Sequence, residues 1–262
     1  MARVTEYPSG VPSWTDLATP DTDAAQSFYG ELFGWTFETN PTDQPGNDYI
    51  MCNKGDAAAA GIMKLSDEMA AAGMPPCWSS YVTVADLDAT AEKVTASGGQ
   101  VMQPPFDVMD AGRMAVFSDP SGAAICGWEA KEHIGAEVVN EHGALTWNEL
   151  MTPDPRAVAD FYEAVFGWKA NHAPMEGMEY TVFMVEGGNE NGIAGAMKPP
   201  MEGMPAFWGV YFNVDDAEAT VKRAKELGAS VMMEASPTPG VGTLAAMADP
   251  QGAMFSIMTP DA

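Results

Sequence analysis

Histidine, cysteine and positive charge are the scarce commodities of this chain. Its 262 residues include three histidines, three cysteines and 12 lysines and arginines, against 37 aspartates and glutamates, for a formal net charge of −25. The acid excess is even: residues 1–131 carry 18 acidic and 6 basic side chains, and residues 132–262 carry 19 and 6. No basic patch exists to neutralise a phosphate backbone, so nucleic acid is excluded as an expected partner. An anionic membrane surface would repel the chain, and no apolar run reaches transmembrane length. The first residues, MARVTEYPSG, lack the apolar core of a secretory signal, which makes the cytoplasm the expected location. Cys52, Cys77 and Cys126 all fall in the first half, without a CxxC pair. That pattern supports neither a disulfide framework nor a zinc site.

What the chain has in abundance is itself. SWTDLATPD at Ser13 returns as TWNELMTPD at Thr146, and FYGELFGW at Phe28 as FYEAVFGW at Phe161. AGIMK at Ala60 returns as AGAMK at Ala194, and DPSGA at Asp119 as DPQGA at Asp249. Order is kept and the offset drifts only between 130 and 134 residues, so the chain is a duplication. The period is too long for a solenoid, and each half is large enough for a core of its own. Two domains are expected, 1–131 and 143–262, joined by a polar linker at 132–142.

Within each half the pattern reads β-α-β-β-β twice. A strand at 12–19 meets Pro20-Asp21, and Asp21 or Asp23 can cap a helix running to Phe33. Strands follow at 35–39, 49–54 and 58–65. After a Met-rich loop at 66–76 the plan restarts with strand 78–84 and helix 87–97. In the second half, helices are expected from Asp154 or Pro155 to Phe166 and over 217–227. The loop 199–205 repeats the methionine enrichment of 66–76, which suits either an apolar lid or plain core filling.

A first strand, Pro-Asp, a helix carrying Phe-Tyr, an FGW strand entry and a late DPxG before the last strand resemble the vicinal oxygen chelate superfamily. This is the glyoxalase, bleomycin-resistance and extradiol-dioxygenase fold. The W-x-[DE]-L and FGW pattern is similar to a group of tandem actinobacterial glyoxalase-like proteins labelled hydroxylases or antigens. The resemblance implies an α+β fold of two tandem glyoxalase-like domains, each a pair of βαβββ modules forming a cupped half-barrel. It also implies, in metal-dependent members, His, Gln or Glu ligands on cup-facing strand positions, where a divalent ion acts as a Lewis acid.

Those positions hold other residues here: Trp14, Ser79 and Cys126 in one half, and Trp147, Gly209 and Ser256 in the other. No metal and no cofactor is therefore expected. Trp14 and Trp147 match across the repeat, as do Trp78 and Trp208. They suit stacking on a flat apolar ligand, or simply fill the cups. Asp16 and Glu149 lie two residues beyond Trp14 and Trp147, on the same strand face. A carboxylate there is either a general acid/base with a raised pKa or a structural acceptor. Arg113 could pair with Asp16, hold a ligand anion or lie on the surface. Cys126 and Ser256 complete the candidate lining. Three functions stay open: a metal-independent binder of a small aromatic or carbonyl-bearing metabolite, an enzyme using Glu149 or Asp16, and an interaction module with vestigial cups. A small-molecule ligand is the expected partner, with the chain a monomer or homodimer.

Overall fold

The computed structural model describes residues 3–42, 48–175, 178–189, 192–201 and 203–261. The first half runs β1 (Pro12–Thr19), α1 (Thr22–Phe33), β2 (Thr36–Asn40), β3 (Tyr49–Lys54), β4 (Ala57–Lys64), α2 (Asp67–Ala71), β5 (Cys77–Thr83), α3 (Leu87–Ala96), β6 (Gln100–Val108), β7 (Gly112–Ser118) and β8 (Ala124–Ala130). The second half runs β9 (Ala144–Met151), α4 (Ala159–Phe166), β10 (Lys169–Met175), β11 (Met178–Met184), β12 (Ala194–Met197), β13 (Phe207–Asn213), α5 (Ala217–Glu226), β14 (Ser230–Thr238), β15 (Gly242–Ala248) and β16 (Met254–Pro260).

Each half makes one eight-stranded mixed sheet, and the two have the same order: β2-β3-β4-β1-β5-β8-β7-β6, and β10-β11-β12-β9-β13-β16-β15-β14. The first strand of each module occupies the centre, where β1 pairs β5 and β9 pairs β13, both antiparallel. This central pair aligns Asp16 with Ser79 and Glu149 with Gly209. The sheets are open half-barrels with the helices along one face.

Local chemistry explains most helix boundaries. The carboxylates of Asp21, Asp86 and Asp216 accept from backbone N–H groups three residues on, capping α1, α3 and α5. The fourth large helix departs from the expected start. Asp154 accepts from the N–H groups of Arg156 and Ala157, which folds a turn, and α4 begins only at Ala159. The loop at 66–76 also contains a short helix, α2, capped by Ser66. Met69 in that loop and Met201 in its counterpart are exposed; residue 202 of the latter lies outside the described residues.

The helix faces do not form two separate cores. Leu17, Phe28, Tyr29, Phe33 and Trp78 of the first half pack in one cluster with Phe212, Val221, Met247 and Phe255 of the second. Val82, Leu87, Val94 and Phe117 pack in another with Phe161, Tyr162, Trp168 and Phe183. The halves therefore stand back to back, each module burying its helix against the opposite half. Hydrogen bonds follow the same crossing. Trp78 Nε1 donates to Tyr29 Oη (3.0 Å), which donates to Asp249 of the second DPxG (3.1 Å). The mirror chain is Trp208 Nε1 to Tyr162 Oη (2.9 Å) and Tyr162 Oη to Asp119 (2.8 Å). The FGW indoles cross as well, Trp35 Nε1 to Gly143 O and Trp168 Nε1 to Gly10 O.

The segment at 132–142 is polar in composition yet firmly packed. Ala136 N donates to Ser13 O (2.7 Å), Glu137 N to Ala58 O (2.8 Å) and Ala58 N to the Glu137 carboxylate (3.0 Å). Ala136 and Val138 are buried.

Candidate functional site in the two cups

Strand alternation sends Trp14 and Asp16 to the face opposite the helices, since their neighbour Leu17 lies in the helix-side core. Trp14 clusters there with Tyr81, Cys126 and Trp128, and with Tyr49, Met51 and Met114 around them. The centre of the cup is a carboxylate held by tyrosines. Tyr81 Oη donates to Asp16 Oδ2 at 2.8 Å, and Tyr49 Oη approaches the same oxygen at 3.4 Å. Trp14 Nε1 donates to Tyr49 Oη at 2.9 Å.

The second cup repeats this arrangement with a longer acid. Tyr180 Oη donates to Glu149 Oε1 at 2.7 Å and Tyr211 Oη to Glu149 Oε2 at 2.6 Å. Trp147 Nε1 donates to Tyr180 Oη at 3.0 Å. Glycine makes the approach possible. Gly61 faces Asp16 across the β1–β4 pair, and Gly195 faces Glu149 across β9–β12. A Cβ on Gly61 would lie 1.9 Å from Tyr49 Oη, and one on Gly195 1.9 Å from Tyr180 Oη. The repeated AGxMK motif is thus the seat of the repeated tyrosine.

Both carboxylates are nearly inaccessible, Asp16 at 3% and Glu149 at 5% relative exposure. Burial lifts the Asp16 carboxyl to about 6, against the opposing pull of Tyr81, Tyr49 and Ser79, which favour the ionised form. Burial raises Glu149 as well, opposed by Tyr211 and Tyr180. Asp16 Oδ1 is buried without a hydrogen-bond partner, and Ser79 lies opposite Asp16 in register.

The cups differ in cover. His133 sits edge-on to Trp14, with ring centroids 4.5 Å apart, and its carbonyl accepts from Trp128 Nε1 at 2.8 Å. The packed segment thereby covers the first cup, and Trp14 is 4% exposed. Trp147 of the second cup keeps part of its surface in solvent, while Tyr49 and Tyr180 are both partly covered.

Several expected site residues lie elsewhere. Trp78 and Trp208 point to the helix side, because Trp78 pairs with Leu17 and Trp208 with Leu150, both core residues. They are donors in the crossed Trp–Tyr–Asp chains and line neither cup. Arg113 does not pair with Asp16. It alternates with Met114, a cup neighbour, and so faces outward to Asp88 (2.9 Å) and Glu129 (3.3 Å). Cys126 aligns with Tyr81 in the first cup and Ser256 with Tyr211 in the second. Burial, and then the Asp16 charge, push the Cys126 thiol well above its ordinary value, so it is no nucleophile at neutral pH. His172 lies on β10 and bonds Thr181 Oγ1 at 2.8 Å. Sequence reasoning missed the tyrosines. Their signal was in the repeat: Tyr49 and Tyr81 recur as Tyr180 and Tyr211.

The residues present do not fit the chelated divalent ion of the metal-dependent fold family. Each cup centres on one carboxylate, and both tyrosine protons are committed to it. Among the described residues no group of three or more His, Cys, Asp or Glu side chains is placed to hold a metal ion. Nor, among them, is any helix long and apolar enough to cross a membrane.

Comparison with known proteins agrees with this architecture. The model of the Glyoxalase/Bleomycin resistance protein/Dioxygenase superfamily matches twice, over residues 12–126 and 143–257. CFP32, a candidate glyoxylase of Mycobacterium tuberculosis, is 45% identical over 263 residues, covering 99% of this chain and 98% of its own. The anthracycline biosynthesis protein DnrV of Streptomyces peucetius is 36% identical over 270 residues, covering 97% and 95%. The Mn(II)-bound glyoxalase of Novosphingobium aromaticivorans shares the fold, with a TM-score of 0.67 at 15% identity over 96% of this chain and 82% of that one. Two matched domains and relatives aligned end to end make the chain a member of the glyoxalase/bleomycin resistance protein/dioxygenase superfamily.

Proposed function

We propose that the protein binds a small, mostly apolar metabolite, aromatic or carbonyl-bearing, in a cup lined by tryptophan, tyrosine and one acidic residue, without a metal. The observation that carries this reading is the duplicated, buried Trp–Tyr–carboxylate–Tyr set. A buried carboxylate is costly to keep unless something uses it. The second cup is the better candidate for entry, since Trp147 is only partly covered where its counterpart Trp14 is buried. Trp147 offers the stacking face and Glu149 the polar contact. The likeness to a protein named for anthracycline biosynthesis is in keeping with an aromatic ligand.

A second reading is favoured by the elevated carboxyl of Asp16 and by the same direction at Glu149: proton transfer to or from the ligand. In that case Glu149 or Asp16 acts as a general acid/base in secondary metabolism or aldehyde detoxification, with the tyrosines holding it in place. Tryptophan-fluorescence titration with a panel of planar aromatic and carbonyl metabolites tests the binding reading, and Trp147→Ala should weaken it. Glu149→Gln should abolish turnover of a bound ligand only if the second reading holds. No response to the panel would leave an interaction module as the surviving function.

A further inference from the structure

The direction in which protons run through each cup narrows the ligand, given the binding reading above. An indole N–H can only donate, so the Trp14 proton fixes Tyr49 Oη as its acceptor. The Tyr49 and Tyr81 protons are then directed at Asp16 Oδ2. The second cup runs the same way: Trp147 to Tyr180 to Glu149, with Tyr211 donating from the other side. Every donor in this set is already committed inward. The group with unused capacity is the carboxylate, whose oxygens accept and, when ionised, cannot donate.

In the first cup the deficit is explicit. Asp16 is all but sealed from water, and Oδ1 is left without a hydrogen bond although the Ser79 hydroxyl lies alongside. In the second cup each Glu149 oxygen takes one tyrosine, leaving a further lone pair on each. We infer that the cup carboxylates are acceptors for a hydroxyl or N–H carried by an aromatic ligand, so that hydroxyaromatics are selected over their ether or purely carbonyl counterparts. A ligand offering only acceptors would face a carboxylate of like polarity and strand its own buried oxygen. A ligand hydroxyl instead completes the unfilled position.

The test uses two probes that differ in one proton, 2-naphthol and 2-methoxynaphthalene, titrated calorimetrically into the intact protein at pH 7.5. The expected result is binding of 2-naphthol about tenfold or more tighter than its ether. Asp16→Asn and Glu149→Gln then locate the contact. In Asp16→Asn the tyrosines retain the amide oxygen, which turns the amide N–H₂ toward the unfilled position and should shrink or invert the preference. The wild-type comparison stands even if a variant fails to fold. Equal binding of the two probes, or a preference that survives both substitutions in folded protein, overturns the inference and leaves the binding reading intact. Absence of binding by either probe, together with silence from the wider metabolite panel, overturns both.

Discussion

At the scale of the residue, the informative quantity is the cost of a buried charge. Asp16 has a pKa of about 6 in the folded protein, above its ordinary 3.8. The folded state therefore holds its proton more tightly than the unfolded chain does. The sign follows: below about pH 4 both states are protonated and Asp16 is neutral in its effect. As pH rises from 4 to 6 the unfolded chain ionises first, and stability falls; above 6 the full cost, about 3 kcal/mol, is present. Asp16→Asn should accordingly raise the midpoint of thermal unfolding at pH 8 and change it little at pH 4, as calorimetry would show. A destabilisation at pH 8 would mean that the tyrosine hydrogen bonds outweigh the desolvation. The glycines give a second prediction. Gly195→Ala forces the Tyr180 hydroxyl away from Glu149, so it should cost roughly 1–3 kcal/mol by denaturant titration and disturb the near-UV tyrosine signal. Unchanged stability would show that Tyr180 has another seat.

At the scale of the element, the segment between the domains is the revealing piece. Its composition reads as linker, but its backbone behaves as part of the first cup. The amides of Ala136 and Glu137 bond Ser13 and Ala58, so hydrogen exchange should find them protected to nearly the extent of β1. Exchange at the rate of an exposed loop would contradict the packing. Why this was not legible is a matter of range: Glu132, Glu137 and Glu141 give the segment a polar look, while its partners lie about 80 to 120 residues away. The regular elements were legible because their signals are local. Asp caps mark three helix starts, and β3 runs over 49–54 as its sequence indicates. The cup-facing placement of Trp14, Asp16, Trp147 and Glu149 was legible from the family's ligand positions and strand alternation. Trp78 was not, because β5 puts alternate residues on opposite faces, and a reading one residue out of register inverts its direction. Tyr49 and Tyr81 escaped because an aromatic on a strand looks like core until a carboxylate is found beside it.

At the scale of the whole molecule, the duplication does more than supply two copies of a cup. Each half buries its first helix against the other, and each DPxG aspartate accepts a tyrosine from the opposite half. The molecule is built as a dimer joined in one chain, and its halves share their cores. A single cooperative thermal transition is therefore expected rather than two. Tyr29→Phe or Tyr162→Phe should lower the whole transition by about 1–3 kcal/mol, not split it, since each leaves a buried aspartate short of a donor. Separate transitions for the two halves would refute the shared core.

The two cups face away from that shared core, and the reading proposed for them is that a carboxylate clasped by tyrosines binds an aromatic ligand without a metal. It is tested most directly by calorimetric titration of 2-naphthol into protein stripped with a chelator, repeated after addition of Mn²⁺. The predicted result is saturable binding in roughly the micromolar range, identical in the two titrations. Binding that emerges only once the metal is restored would contradict it.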